Sequence, residues 1–217
     1  MTKKFPIPAA LPLALVLLAA APAAAAENFA LGAKAGTAGL GLEGTFGMGE
    51  TLNLRGGYYA FDYSDTLNEN GIEYDGDLEL ENLGLFLDWH PWRGTFRLSV
   101  GGMQSGNAFT GTADGALDVG DNTYTAALRA DVDWDGFAPY FGVGWGNAVG
   151  TGGWSVSFDL GIMYTGEPTV SLTGTVSDPA LQDQFDQDLA LEEAALQEEL
   201  DDVTIFPVIA LGVAYRF

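Results

Sequence analysis

Charged side chains recur at every second position along several apolar segments of this 217-residue chain. Alternation of this kind predicts β-strands that carry charge on one face and large apolar residues on the other. Charges enclosed between such strands would either pair with one another or select passing ions. The candidate lumen-lining, selectivity-determining residues are Glu43, Arg55, Glu79, Glu81, Asp88, Arg97, Arg129, Asp131, Asp133, Asp159 and Arg216.

Residue types suited to other chemistry are scarce. The chain has no cysteine and one histidine, His90, which precedes the Pro91-Trp92 turn and is interpreted as an interfacial polar residue rather than a general base. The stretch from Thr66 to Asp77 has calcium-loop spacing, but the threonine at its first position favours an acidic hairpin. We therefore predict no enzyme activity, no catalytic residue, no cofactor and no metal site, and leave open adventitious divalent cations at the loops.

The charge balance excludes one class of partner. Thirty acidic residues against eight basic ones give a formal net charge of −22. Nucleic-acid affinity depends on clustered Lys and Arg at the phosphates, so no nucleic-acid partner is expected. A hydrophobic content of 47% also distinguishes the chain from an acidic disordered protein.

The N-terminus has the pattern of a secretory signal. Lys3 and Lys4 precede an apolar stretch over residues 9–21, and Ala24-Ala25-Ala26 supplies small residues for cleavage. We predict a signal peptide over residues 1–26, cleaved near Ala26, and a mature chain over residues 27–217.

The two faces of the predicted strands differ in a way that favours a membrane barrel. In one strand Trp154, Val156 and Phe158 alternate with Ser155, Ser157 and Asp159. A soluble sheet gains little from a wet face rich in glycine, whereas a membrane barrel turns large apolar residues to lipid and small or charged residues to its lumen. The sequence therefore predicts a bacterial outer-membrane barrel in contact with lipid and lipopolysaccharide. The C-terminal Phe217 is typical of the signal recognised by the barrel assembly machinery.

Turn signals give a provisional topology of an all-β, antiparallel up-and-down barrel. Tight turns at 47–50, 91–94, 134–137 and 165–168 are assigned to the periplasm, and longer connections at 65–75, 110–122, 147–153 and 178–202 to the outside. Ten strands are favoured and eight remain possible. They are predicted near residues 28–36, 38–47, 51–64, 76–90, 95–109, 123–133, 138–146, 154–164, 169–176 and 204–217.

The segment 178–202 breaks the strand pattern. Asp178 is a suitable N-cap before Pro179, and leucines then recur at helical spacing beside ten acids and no base. We predict an acidic amphipathic helix in the last extracellular loop. It would either cap the barrel mouth or act as an electrostatic collar that concentrates cations.

Several segments resemble one family of porins. Residues 138–145 (APYFGVGW) and 164–173 (YTGEPTVSLT) are similar to segments of the ornithine-uptake, carbapenem-susceptibility porins. Residues 36–39, the Pro91-Trp92 turn and the Glu-rich helix follow in similar order. The resemblance implies a small, commonly eight-stranded outer-membrane barrel for uptake of small, often basic amino acids. No binding residue of that family is carried over.

Two functions remain open. The first is a porin for passive uptake of small solutes, favouring cationic or basic amino acids through a net acidic lumen. The second is a closed structural or surface-interaction barrel whose lumen is filled by the same charges. A monomer is favoured, although the oligomeric state is not determined.

Overall fold

The structure, a computed structural model, describes residues 28–69, 72–150 and 152–217. The predicted signal peptide and its cleavage near Ala26 lie outside these residues. One helix, α1 (Gln182–Leu200), follows a 3-10 turn at Pro179–Leu181. The strands are β1 (Phe29–Gly36), β2 (Gly39–Gly47), β3 (Leu52–Glu69), β4 (Ile72–Trp89), β5 (Phe96–Val119), β6 (Asn122–Trp145), β7 (Gly153–Tyr164), β8 (Thr169–Val176) and β9 (Ile205–Arg216).

Eight of the strands close into an antiparallel barrel. Strands β1 to β6 pair in sequence order, β6 pairs with β7, β7 with β9, and β9 returns to β1. Strand β8 stands apart from this ring and pairs with the first half of β6 through Ala126–Asp133. An all-β barrel with one acidic helix before the last strand is therefore confirmed, and its strand number is eight.

The favoured number of ten strands is wrong because one predicted interruption does not occur and one predicted strand, β8, lies outside the ring. Residues 134–137 lie inside β6, which continues for 24 residues in unbroken register with β5. Residues 110–119 likewise belong to β5 and do not form a long connection. A strand needs only about 9–11 residues to cross a bilayer, and the predicted strands were given lengths near that value. Strands β5 and β6 are each 24 residues long and extend well beyond it.

Strand β8 continues β7 and does not reverse it. Both strands run antiparallel to β6, with Tyr140 opposite Met163 and Asp133 opposite Thr169. The intervening residues 165–168 include Gly166 at φ +75° and Pro168, which interrupt the strand without turning it back. The predicted tight periplasmic turn at 165–168 is therefore wrong.

The two ends of the barrel differ in height. At the near end, where β1 begins and β9 ends, the connections are 48–51, 90–95 and 146–152. The connection at 147–153, predicted to lie with the long outer loops, is thus at the near end. At the far end, β3 to β6 and β8 rise beyond β1, β2 and β9 and form an extension (residues 61–69, 72–80, 107–134 and 169–176).

The outer face of the barrel proper is apolar. Its exposed residues include Leu40, Leu42, Leu83, Leu85, Val100, Phe141, Val156, Ile162, Leu211 and Val213. Aromatic residues encircle the near end at Phe46, Trp89, Trp92, Trp145, Trp154, Tyr215 and Phe217. An apolar band ended by an aromatic girdle is the surface that membrane barrels present to lipid. Among the described residues, no helix is long and apolar enough to span a membrane.

Helix α1 covers the free edge of β8. Asp178 caps the preceding turn by accepting a hydrogen bond from the Ala180 N–H at 3.0 Å. The N–H groups of Val170, Leu172 and Val176 then donate to side-chain oxygens of Gln197, Glu193 and Gln182 at 2.9, 2.7 and 3.1 Å. An edge strand left bare invites pairing with other chains, and these side chains occupy its donors.

One polar anchor outside the barrel proper fixes the helix electrostatically. The Tyr124 hydroxyl and the Asn122 amide donate to Asp188 Oδ2 at 2.6 and 2.8 Å. These bonds favour the charged carboxylate and lower the pKa of Asp188 below its usual range.

We predict that Tyr124→Phe raises the pKa of Asp188 toward its usual value, because the first of the two hydrogen bonds is lost. The anchor stabilises the docked helix above the ordinary aspartate pKa and is lost as pH falls through the lowered folded value. NMR titration of the Asp188 carboxyl carbon measures the shift, with Tyr63→Phe as the control. An unchanged titration in Tyr124→Phe would contradict the anchor.

Candidate functional site

Six buried charges form a closed ring across the barrel lumen. Lys34, Arg55 and Arg97 come from β1, β3 and β5, and Glu43, Asp88 and Asp159 come from β2, β4 and β7. The six side chains are each at most 10% exposed. The sign of the charge therefore alternates around the barrel, with β6 and β9 contributing no member, and we call this set the charge ring.

Each link of the charge ring is an ion pair. Lys34 Nζ lies 2.8 Å from Glu43 and 2.8 Å from Asp159. Arg55 contacts Glu43 at 2.7 Å and holds Asp88 through Nε and Nη2 at 2.8 and 3.1 Å. Arg97 completes the circuit with Asp159 at 2.5 Å and a longer 3.8 Å contact to Asp88. Three cations and three anions leave no net formal charge, as buried charges require.

Gly144 of β6 lies between Arg97 and Asp159 in the sheet and leaves space for their ion pair. A Cβ atom at Gly144 would lie 2.8 Å from Asp159 Oδ1 and 2.9 Å from Arg97 Nε. Any larger residue would therefore displace the pair that these two side chains form. Small residues at lumen-facing positions therefore leave the space that long charged side chains from neighbouring strands occupy.

An apolar layer lies on the far side of the charge ring. Tyr59, Phe86, Met103, Tyr140 and Met163 are buried there with Ala38, Ala138 and Val208. The Phe86 and Tyr140 rings meet edge to face at 4.9 Å, and the Arg55 guanidinium stacks 4.4 Å from the Phe86 centroid. The Tyr59 hydroxyl donates to Glu43, which ties this layer, the plug, to the ring.

A third layer closes the near end. Asn53 Nδ2 donates to Asn147 at 3.1 Å and lies 3.1 Å from His90 Nε2, while His90 Nδ1 lies 3.0 Å from the Gly94 carbonyl. Because the amide donates and the carbonyl accepts, the imidazole carries its proton on Nδ1 and accepts at Nε2. His90 is buried inside the barrel at this rim, behind the aromatic residues of the near end.

The three layers leave little space in the lumen. One cavity of about 20 Å³ lies on the near side of the charge ring, lined by Asn53, Arg55, Asp88 and Arg97. A second of about 20 Å³ lies between the ring and the plug, lined by Lys34, Tyr59, Tyr140 and Asp159. Each has room for about one water molecule.

The structure brings together five of the residues named from sequence: Glu43, Arg55, Asp88, Arg97 and Asp159. Sequence reasoning missed Lys34, the sixth member of the ring. It is the sole lysine after Lys4, and it sits in a strand otherwise built of small and apolar residues. An isolated charge in such a strand was the signal that could have identified it.

Five other predicted lumen residues lie elsewhere. Glu79 and Glu81 are exposed and alternate with buried Leu80 and Asn82, so they share the outer face of β4 with Leu83. Arg129, Asp131 and Asp133 lie on the outer face of β6, where Arg129 Nε donates to Asp131 at 2.7 Å. Their assignment to the lumen was wrong because the apolar residues, which face outward in the barrel proper, face inward in the extension. Its apolar side turns inward to α1, and its charged side turns outward.

Arg216 does not join the ring. It lies at the near end, and its Nη1 donates to the Val149 carbonyl at 2.9 Å. Its contact therefore holds the 146–152 connection against the barrel rim, where no carboxylate among the described residues pairs with it.

The described residues contain no cluster of three or more His, Cys, Asp or Glu side chains placed to hold a metal ion. The six ring charges are paired with one another, and Arg97 Nε, 3.8 Å from Asp88, is left without a hydrogen-bond partner among the described residues. Such an arrangement can exclude ions and rigidify the lumen, and it offers no free nucleophile or general base.

Comparison with known proteins identifies the fold. Models of protein families and curated protein sequences give no match. Crystal structures of CarO2 and CarO from Acinetobacter baumannii are similar, with TM-scores of 0.58 and 0.59. This chain has the CarO fold. The identities are 21% and 23%, over 87% and 88% of this chain and 98% and 97% of those chains. The porin resemblance predicted from sequence is thereby confirmed as a likeness of fold.

Proposed function

We propose that the chain is a non-enzymatic outer-membrane barrel whose lumen is sealed and whose working surface is the far-end extension. The observation that carries this proposal is the charge ring, which spans the lumen with six paired charges. The plug fills the lumen beyond the ring, and the two cavities beside the ring each hold about one water molecule, which supports a sealed lumen. The apolar outer band and the CarO fold support the placement in an outer membrane.

In this proposal the near end faces the periplasm and the extension faces outward. Outer-membrane barrels carry short turns on the periplasmic side and their longer elements outside. The near-end aromatic girdle, which includes Tyr215 and Phe217, would lie at the periplasmic surface of the outer membrane. The lipid, lipopolysaccharide and assembly-machinery partners predicted from sequence belong to the same proposal.

Passive uptake of small solutes is the second candidate. It is favoured by the polar lining of the lumen and by the acidic segment 178–202, which carries ten acids and no base at the far end. The charge ring is formally neutral, so any preference for cationic or basic amino acids would arise at this mouth and not inside the barrel.

Solute flux into proteoliposomes separates the two candidates. We expect lysine, glutamate and a neutral sugar of similar size to enter vesicles containing the refolded mature chain no faster than empty vesicles. A known open porin serves as the positive control, and heat-shifted gel mobility verifies folding. Faster entry of lysine than of glutamate, weakened by salt, would replace the sealed barrel with the cation-favouring porin.

A further inference from the structure

The extension has two edge strands, β8 and β3, of which one is covered and the other is not. On one side, α1 covers the edge of β8, and its side-chain oxygens accept hydrogen bonds from the backbone N–H groups of that strand. On the other side, β2 pairs with β3 only as far as Leu40 opposite Ala60. Beyond that point β3 pairs with β4 alone, and every residue from Phe61 to Asn68 is exposed.

The direction of the backbone groups on this β3 edge follows from the register. The Thr51 carbonyl accepts from the His90 N–H on the β4 side, whereas the Leu52 carbonyl accepts from the Met48 N–H on the β2 side. The pairing of β3 with β4 continues without a bulge to Glu69. Even-numbered residues therefore point their N–H and C=O groups away from β4, which leaves those of Asp62, Ser64, Thr66 and Asn68 at the free edge.

This edge carries little protection. One local bond occupies it, in which the Thr66 N–H donates to Asp65 Oδ1 at 2.9 Å. Between Phe61 and Asn68 there is no proline and no lysine, and the charges that discourage edge pairing are the two acids Asp62 and Asp65, which a basic partner would neutralise. A long strand that is unpaired on one side is a template for another extended chain.

The side chains beside the edge specify the chemistry of an incoming strand. On the inner face, Phe61, Tyr63 and Leu67 are 41%, 54% and 63% exposed, and Tyr74 of β4 lies opposite Leu67. On the outer face, Asp62, Ser64 and Thr66 lie opposite three acids of β4, which are Glu79, Asp77 and Asp75. No Lys or Arg occurs from residue 61 to 92, and Arg129 on the outer face of β6 is the one cation among the described residues that interacts with these acids, at Asp77, so the patch remains net acidic.

We propose that the β3 edge over residues 61–68 binds an extended segment of a partner protein in which apolar and basic residues alternate. Its backbone would pair with Asp62, Ser64, Thr66 and Asn68, its apolar side chains would cover Phe61, Tyr63 and Leu67, and its basic side chains would face the outer acids. The inference deepens the proposed function by naming the partner of its working surface, and it rests on that proposal for the outward orientation of the extension.

A second copy in the same membrane fits this edge poorly. Two such copies are related by an axis along the membrane normal, and barrel strands tilt by about 35–45° from that direction. The β3 strands of two copies related by this axis would be inclined to each other by twice the tilt, so their edges could not form an antiparallel pair. The Asp62 side chains of two copies would also repel each other.

Peptide binding to the full mature chain, refolded in zwitterionic detergent, tests the inference. The probe is a fluorescein-labelled nine-residue peptide of alternating lysine and valine, read by anisotropy. We expect Ser64→Pro to weaken binding at least ~10-fold, a loss of about 1.4 kcal/mol, because proline removes an edge N–H. Ser64→Ala keeps that N–H and serves as the matched control, with binding expected within about twofold of the parent.

A second peptide keeps the test decisive if Ser64→Pro fails to fold. The same sequence N-methylated at alternate residues cannot form the backbone ladder and is expected to lose binding to the unaltered chain. Equal binding of the N-methylated peptide, or of a block-ordered peptide of the same composition, would overturn the proposal because charge alone would explain it. Lumen flux is measured separately, so an open pore would refute the sealed barrel without affecting this result.

Discussion

Replacing Asp88 by alanine is expected to lower the free energy of unfolding by about 3–5 kcal/mol, because a buried ion-pair network then loses one partner. Asp88 accepts two of the three guanidinium hydrogen bonds of Arg55 and a hydrogen bond from the Ser99 hydroxyl at 2.6 Å. Its removal also leaves Arg97 with Asp159 as its single carboxylate. Urea unfolding of the refolded chain in detergent micelles measures the effect.

The matched control is Asp131→Ala, which breaks an ion pair in the water-exposed extension. Arg129 and Asp131 are 53% and 27% exposed, so the loss should stay near or below about 1 kcal/mol. The double variant Arg55→Leu, Asp88→Leu leaves Lys34 with Glu43 and Arg97 with Asp159, and should recover most of the stability lost in Asp88→Ala. Equal destabilisation by Asp88→Ala and Asp131→Ala would contradict the charge ring as a sealed, buried network.

Replacing Phe185 by alanine is expected to lower the local stability of α1 by about 3–5 kcal/mol, the cost of a cavity where a large buried ring is removed. Phe185 is fully buried, meets Tyr124 edge to face at 5.1 Å, and fills the space that Gly174 leaves open. The helix should then open over β8 while the barrel stays closed, because the charge ring and the plug do not contain Phe185. Hydrogen exchange of the α1 amides measures this opening.

Leu191→Ala on the same helix provides the control, since Leu191 is 71% exposed and its truncation should change stability by no more than about 0.5 kcal/mol. Limited proteolysis gives a second readout, with cleavage of Phe185→Ala expected within residues 178–202. Heat-shifted gel mobility should remain that of the parent chain in both variants. Unchanged amide protection in Phe185→Ala would refute the packing of α1 on the extension as its main anchor.

The alternation of lipid-facing and lumen-facing residues in β7 and β9 could be predicted from sequence because both strands lie wholly within the barrel proper. Their outward residues are large and apolar at every second position, and their lumen-facing residues are small or charged except at the plug, where Met163 and Val208 are buried. The same rule failed for β6, whose residues 122–134 stand beyond the barrel. There Tyr124 and Ala126 turn inward to Phe185 and Leu189, so the apolar face belongs to a core and the charged face to water.

Five of the six members of the charge ring could be predicted from sequence, but their pairing could not. Glu43, Arg55, Asp88, Arg97 and Asp159 sit on five different strands, and their partners are fixed by the stagger of those strands around the barrel. Lys34 lies opposite Gly41 in the ladder and reaches Glu43 diagonally. Sequence spacing within one strand carries no information about such a contact.

Length, charge balance and the period-two pattern determined by themselves that this chain forms an antiparallel barrel with an acidic helix before its last strand. Those features depend on local alternation and on capping at Asp178 and Pro179, which act over a few residues. Tertiary structure alone decided that eight strands close, that β8 lies outside the ring, and that the lumen carries no net formal charge. Each of these depends on which strands pair and on the register between them, and closure of the barrel fixes both the pairing and the register.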